Sequence, residues 1–212
     1  HELGRLHETY KGSSKFLEEP AAKAHLESIV KGIENAFAKA ANDQNLFEEL
    51  VTPDVIEWLA SVHKANDYLM VRSTGAEDSR KTANAGGNLS CNYVKPTREA
   101  FCKAAGDVVA SYFGYGSLQN RINAGDNPFD EELKLAVTAQ ELIGEQIGGE
   151  TTNPSQIPIS LVLFTSEPLW IGNEKFRTMR ISATHGHGEG VVGMQGIPSD
   201  TYVILVSEKH PD

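Results

Sequence analysis

Val71-Arg72-Ser73-Thr74-Gly75-Ala76-Glu77-Asp78-Ser79 and, a few residues on, Asn84-Ala85-Gly86-Gly87-Asn88-Leu89-Ser90 make up the most informative stretch of this chain. Just before it, Tyr68-Leu69-Met70-Val71 is a short apolar run that reads as a buried strand. Arg72 leaves the end of that strand, and residues 72–90 read as a polar, glycine-containing loop. An Arg so placed can grip phosphate through its planar, permanently charged fork. The Gly86-Gly87 pair lets backbone N–H groups approach phosphate oxygens with no Cβ in the way. Ser73, Thr74 and Ser90 add hydroxyl donors. Arginines at strand ends and paired glycines in loops are also ordinary structure, so this stretch alone leaves phosphate binding and plain connection both open.

On the N-terminal side the chain reads as helical. From Pro20 through Ala41 the residues Ala24, Leu26, Ile29, Val30, Ile33, Phe37 and Ala40 recur at helical spacing. Thr52-Pro53-Asp54 reads as a helix start, with Thr52 as N-cap and Pro53 in the first turn. Val55, Ile56, Leu59 and Val62 give that helix an apolar stripe. On the other side a helix is expected from about Thr97 to Phe113, with Phe101, Ala104, Ala105, Val108, Val109 and Tyr112 turned inward. From Leu133 the character becomes β-rich. Candidate strands are 134–143, 159–165, 175–183, 190–194 and 201–206, separated by Gly, Pro, Asn and Ser clusters. Most have no amphipathic helix between them, which favours an antiparallel or mixed sheet over a βαβ series. The expected class is α+β, with a helical lobe over 1–66, a strand, glycine loop and helix over 67–130, and a β-rich lobe over 131–212.

Composition narrows the function classes. At 212 residues, of which 40% are hydrophobic, the chain can build a core. A net charge of −10 argues against general nucleic-acid binding, which needs excess Lys and Arg on phosphates. It leaves room for a nucleotide site, because a few local cations and backbone amides can hold one triphosphate. No run of about 18 apolar residues occurs, so no helical membrane span is expected. Residues 1–5 lack the pattern of a secretory signal, and the absence of an initiator Met suggests a piece of a longer protein. Two cysteines, Cys91 and Cys102, read as ordinary thiols of a reduced, cytoplasmic protein.

Four blocks, taken in order, carry a resemblance. Arg72-Ser73-Thr74, Glu77-Asp78 and Ala85-Gly86, ending in Asn92-Tyr93-Val94, form the first. Ala136-Val137-Thr138-Ala139-Gln140 and Ser160-Leu161-Val162-Leu163-Phe164-Thr165 are the next two. The last runs from Ile181 through His185-Gly186-His187-Gly188-Glu189 to Pro198-Ser199-Asp200-Thr201-Tyr202. Together they resemble the ATP-binding, ATP-grasp domain of the pyruvate phosphate dikinase and phosphoenolpyruvate synthase family over roughly residues 68–206, with the two central blocks resembling its paired central strands. The resemblance implies an ATP-grasp-like domain in a larger phosphotransferase, in which ATP with Mg²⁺ phosphorylates a histidine and the phosphoryl group passes to pyruvate. Its implied partners are ATP and the phosphohistidine and pyruvate domains of the parent protein.

By the same resemblance Arg72 is the catalytic, phosphate-gripping cation. Thr74, Gly86, Gly87, Asn88 and Ser90 belong to the ATP-binding loop, and Gln140 sits near the adenine. No metal ligand is assigned in this chain. Alternatives are a relative that phosphorylates an antibiotic or a glucan, and a non-catalytic binding domain of the same fold. Leu89 stands where the family pattern has an acid, and the 141–159 connection is longer than usual.

Other signals are set aside. Gly188-Glu189-Gly190-Val191-Val192-Gly193 fits a dinucleotide pattern literally, but that pattern must open a helix within a βαβ unit. His185 and His187 lack a suitably spaced third ligand and are expected in a turn. Asp54–Trp58 resembles the family's metal-binding strand, yet it lies in a helical pattern, so Glu57 is expected on a solvated helix face. No Gly-Gly-Lys, Gln-x-Arg-Pro or phosphohistidine segment occurs between His1 and Asp212. The 212 residues are therefore expected to fold without catalysing on their own.

Overall fold

The computed structural model describes residues 18–65, 68–75, 87–123, 135–146, 153–188, 191 and 198–207. The chain divides into two compact units, His1–Leu142 and Ile143–Asp212. The class is α+β: helices gather in the first unit, and each unit holds a three-stranded antiparallel sheet.

The first unit begins with α1 (Pro20–Asn42). It stops where Asp43 takes an extended conformation and turns its carboxylate to the next helix, α2 (Gln44–Leu50). That carboxylate accepts from the backbone N–H groups of Asn45 at 2.9 Å and Leu46 at 3.3 Å, the N-cap arrangement that satisfies otherwise orphaned donors. The helix α3 (Pro53–Ala65) starts where the Thr-Pro-Asp signal places it. The carbonyl of Thr52 accepts from Val55 and Ile56, both at 3.1 Å, and Glu57 is exposed on this helix as expected. After β1 (Tyr68–Gly75) and β2 (Ser90–Val94) comes α4 (Arg98–Tyr112), capped by the Thr97 hydroxyl, which accepts from Ala100 N–H at 3.2 Å. Then α5 (Tyr115–Asn123) and β3 (Leu135–Leu142) complete the unit.

The sheet order is β2-β1-β3. Leu69 and Val71 of β1 are fully buried and pack with Val94 of β2, with Phe101, Ala104, Ala105 and Val108 of α4, and with Phe47 of α2. Burying a Leu, Val or Phe side chain contributes roughly 2 kcal/mol, so this cluster dominates the unit's stability. The Phe47 and Phe101 rings meet edge to face at 6.5 Å. A Cβ at Gly106 would stand 2.8 Å from Cβ of Phe37, so glycine is what lets α1 and α4 approach so closely.

The loop expected over 72–90 is shorter at both ends. Arg72 to Gly75 continue β1, because each has a partner in β3, from Thr138 opposite Arg72 to Leu135 opposite Gly75. Ser90 opens β2, opposite Arg72. Pairing with neighbours, rather than an apolar run, makes these polar residues strand. Between the pairs Leu69–Val94 and Val71–Cys91 the register slips, so that Asn92 and Tyr93 oppose Met70 alone. Tyr93 takes the left-handed conformation, φ 55°, at this bulge, and its ring meets that of Tyr68 edge to face at 6.2 Å. Helix α5 falls outside the sequence expectation, whereas α2 lies in the stretch read as helical without being singled out there.

The second unit contains β4 (Ile159–Ile171), β5 (Glu174–His185) and β6 (Asp200–Ser207), in the order β4-β5-β6. Gly172, with φ 63°, begins the two-residue turn between Ile171 and Glu174, where the mirror-image hairpin turns need a positive φ. β4 runs past the expected end at Thr165. A bulge absorbs Thr165 and Ser166, the Thr178 hydroxyl donates to the Glu167 carbonyl at 2.9 Å, and Pro168 is tolerated because β4 is an edge. The blocks 136–140 and 160–165, expected as paired strands, are not paired with each other. β3 pairs with β1, and β4 is taken by β5 through the short local hairpin.

At the start of this unit the backbone turns on Gly144, φ 93°, whose Cβ would lie 2.7 Å from the Gln156 carbonyl oxygen. Glu145 N–H donates to that same oxygen at 2.9 Å. Of the strand expected at 190–194 only Val191 lies within the described residues, and it sits in a helical turn with its N–H on the Gly188 carbonyl. The literal dinucleotide pattern of 188–193 likewise lies largely outside the described residues.

Candidate functional site

Antiparallel register decides which side chains share a face, because residues directly opposite point the same way. In β1, Leu69 and Val71 face the helices, so Arg72 and Thr74 stand on the other face with Met70. Opposite Arg72 lie Ser90 in β2 and Thr138 in β3, and opposite Met70 lies Gln140. Four of the residues singled out by sequence, Arg72, Thr74, Ser90 and Gln140, therefore occupy one face of one sheet. Thr138 joins them, and the alternation Ala136-Val137-Thr138-Ala139-Gln140 was the signal that could have named it.

Arg72 is exposed. Among the described residues its guanidinium makes one local contact, from Nε to the Ser73 carbonyl at 3.5 Å, which is long for such a bond. Its fork is thus not consumed by an internal ion pair among the described residues, the condition for gripping an external anion bidentately. Thr74, Ser90 and Gln140 are also exposed and carry hydroxyl and amide groups suited to phosphate oxygens or to a polar base edge. The set holds no carboxylate, the group through which a protein usually holds Mg²⁺ beside bound phosphates.

The glycine turn divides. Gly86 lies outside the described residues. Gly87 and Asn88 are half-buried, and Leu89 is exposed. The Asn88 side chain faces the helices rather than the polar face: its Nδ2 donates to Ser73 Oγ at 3.3 Å, and its Oδ1 accepts from Ser117 Oγ at 2.7 Å. Leu89 N–H donates to Ser111 Oγ at 2.8 Å. Neither serine was singled out by sequence, since both lie in helices whose patterns carry no chemical signature.

Around this site the thiols are quiet. Cys91 and Cys102 are free. Burial pushes the Cys91 thiol up, with the Asp107 carboxylate adding to it, and burial does the same for Cys102, with Glu99 adding. Raised thiols stay protonated and are poor nucleophiles. In the second unit, Gly186 N–H donates to the Pro158 carbonyl at 2.8 Å, and a His187 ring nitrogen lies 3.0 Å from the Ile143 carbonyl. His185 is the exposed last residue of β5, and the expected turn begins with Gly186 and His187. No cluster of three or more His, Cys, Asp or Glu side chains that could hold a metal occurs among the described residues. None of the described helices is long and apolar enough to cross a membrane.

An α+β chain that sets an arginine, free of ion pairs among the described residues, beside hydroxyls and next to a glycine turn has the construction of a nucleotide-binding domain of the ATP-grasp-like kind. The family profile described as pyruvate phosphate dikinase, AMP/ATP-binding domain, matches residues 9–210. The chain belongs to that family, whose members bind ATP for phosphotransfer. No curated protein sequence matches the chain.

Proposed function

We propose that this chain holds ATP for a dikinase of the phosphoenolpyruvate synthase or pyruvate phosphate dikinase type, in which ATP phosphorylates a histidine and then pyruvate. The observation that carries the reading is the gathering of Arg72, Thr74, Ser90 and Gln140 on one sheet face, within a chain of the ATP-binding family. On this reading Arg72 grips a phosphate. Thr74 and Ser90 donate hydroxyls, and the backbone of Gly86, Gly87 and Asn88 covers the triphosphate. Gln140 lies toward the base. Preorganised cations and donors of this kind act by positioning and by neutralising charge that spreads over the transferred group. The Mg²⁺ that accompanies ATP would supply further neutralisation when bound.

The division into 1–66, 67–130 and 131–212, the phosphohistidine and pyruvate partner domains, and a cytoplasmic location belong to the same proposal. Leu89, where the family pattern has an acid, favours a second reading: an ATP-dependent dikinase with a different acceptor, or a binding domain without chemistry.

The test is Arg72→Ala in the full-length protein. Loss of a charge-assisted contact to the transferring group costs about 3 kcal/mol, or roughly 100-fold in ATP-dependent phosphorylation. Arg72→Lys restores little, because a point charge lacks the fork. Wild-type turnover by Arg72→Ala would remove Arg72 from the site.

A further inference from the structure

The glycine turn is anchored from the side of the sheet opposite the polar face. Ser117, 1% exposed in α5, donates its proton to Asn88 Oδ1, and Asn88 Nδ2 donates to Ser73 Oγ in β1. One residue later, Ser111 of α4 accepts from Leu89 N–H while its own proton goes to the Val108 carbonyl at 2.7 Å. Donors and acceptors match along both chains, so three separate elements hold two consecutive residues. Hydrogen bonds buried here are shielded from competition by water, so removing one costs more than at the surface.

The backbone then crosses from one face to the other. Asn88 points to the helices, whereas Ser90, two residues on, faces the polar side opposite Arg72. A shift at Asn88 therefore moves Gly87 and Ser90 together. We propose that Asn88 is a positioning residue supported by Ser117, with Ser111 holding the backbone N–H of the next residue, and that this tether sets where the glycine turn and Ser90 meet the phosphates. The inference rests on the nucleotide reading of the polar face and extends it: α5, which touches no part of that face through these residues, becomes part of the site's support.

The experiment measures two things in the full-length protein and in its Asn88→Ala, Ser117→Ala and Ser117→Thr variants. The first is amide exchange at residues 87–90 with and without MgATP. The second is MgATP affinity by calorimetry. The expected result is faster exchange in both alanine variants without nucleotide, and MgATP affinity weakened about tenfold, the scale of one buried hydrogen bond. Ser117→Thr keeps the hydroxyl and restores both. Gly106→Ala, destabilising through its contact with Phe37 of α1 rather than through any bond of the tether, leaves affinity unchanged, which separates positioning from general loss of stability. If the alanine variants bind MgATP as wild type does, the tether carries no positioning role while the nucleotide reading stands. If wild-type exchange at 87–90 ignores saturating MgATP, the nucleotide reading fails and this inference falls with it.

Discussion

The two units build the same object, a three-stranded antiparallel sheet, and stabilise it differently. In the first, helices close one face over Leu69, Val71, Phe101 and Val108, all buried. In the second, Ile159, Leu161, Trp170, Tyr202 and Leu205 are each more than half exposed, and the buried side chains include two threonines, Thr178 and Thr184. Both threonines spend their hydroxyls on backbone carbonyls, of Glu167 and Pro198. The first sheet is thus held by packing. The second is held by register, turns and polar pins, such as Arg180 on Glu167 at 2.6 Å with its guanidinium over the Phe164 ring. A functional face can be polar on the first sheet because the other face supplies the apolar area.

Truncating a core aromatic tests this contrast most strongly. Phe101→Ala should cost about 3–5 kcal/mol in urea unfolding, the range for a buried aromatic. Leu205→Ala, at 57% exposure, should stay within about 1 kcal/mol. Equal costs would mean that the second sheet's apolar side chains are packed after all.

Two glycines probe where the units become alike. Gly144→Ala adds a Cβ against the Gln156 carbonyl oxygen and forces alanine to φ 93°, a cost of about 1–3 kcal/mol. Gly106→Ala meets first the Phe37 side chain, and overpacking there costs about 1–3 kcal/mol. At Gly106 the nearest atom is the Phe37 Cβ, so relief needs a small shift of α1, whereas at Gly144 the clash with a carbonyl held in the Glu145 hydrogen bond is joined by the strain of a positive φ. Gly144→Ala should therefore be the worse of the two by thermal denaturation. The reverse order would show the α1–α4 contact to be the stiffer one.

The smallest expected effect concerns alkali. Both cysteines belong to the first unit, and burial raises both thiols. A raised thiol stabilises the fold below the pH at which the unfolded thiol ionises. That contribution fades as pH rises from there through the folded group's higher pKa. Urea midpoints should fall slightly more steeply above pH 8 in wild type than in Cys102→Ala. Identical slopes would place the alkaline sensitivity on other groups.

These differences explain what could be read from the chain alone. The helices α1, α3 and α4 were legible because periodicity and the Thr-Pro-Asp and Thr97 caps agree. Seven residues of α2 and nine of α5 are too few turns to set up a clear pattern, although Asp43 as N-cap was available. Ser90–Val94 offers one aliphatic residue and becomes strand only through pairing with β1. For the candidate site, Arg72, Thr74, Ser90 and Gln140 could be singled out as residues, but not as neighbours on one face. Which face a side chain takes depends on register between segments distant in sequence, and a single slip inverts it. The same dependence turned Asn88 toward Ser117, which no local pattern announced.

The position of β1 also orders events in time. It is the middle strand of its sheet, yet the earliest in the chain, and Tyr68 finds its partner only in Leu142. In the second unit Ile171 meets Glu174 across a two-residue turn. Closing a long loop costs more entropy than closing a hairpin and slows formation. The β4–β5 hairpin can form as soon as its own residues exist. A chain growing from its N-terminus carries β1 with one edge open until residue 142 has emerged, so the polar face assembles last in its unit, on a strand made long before.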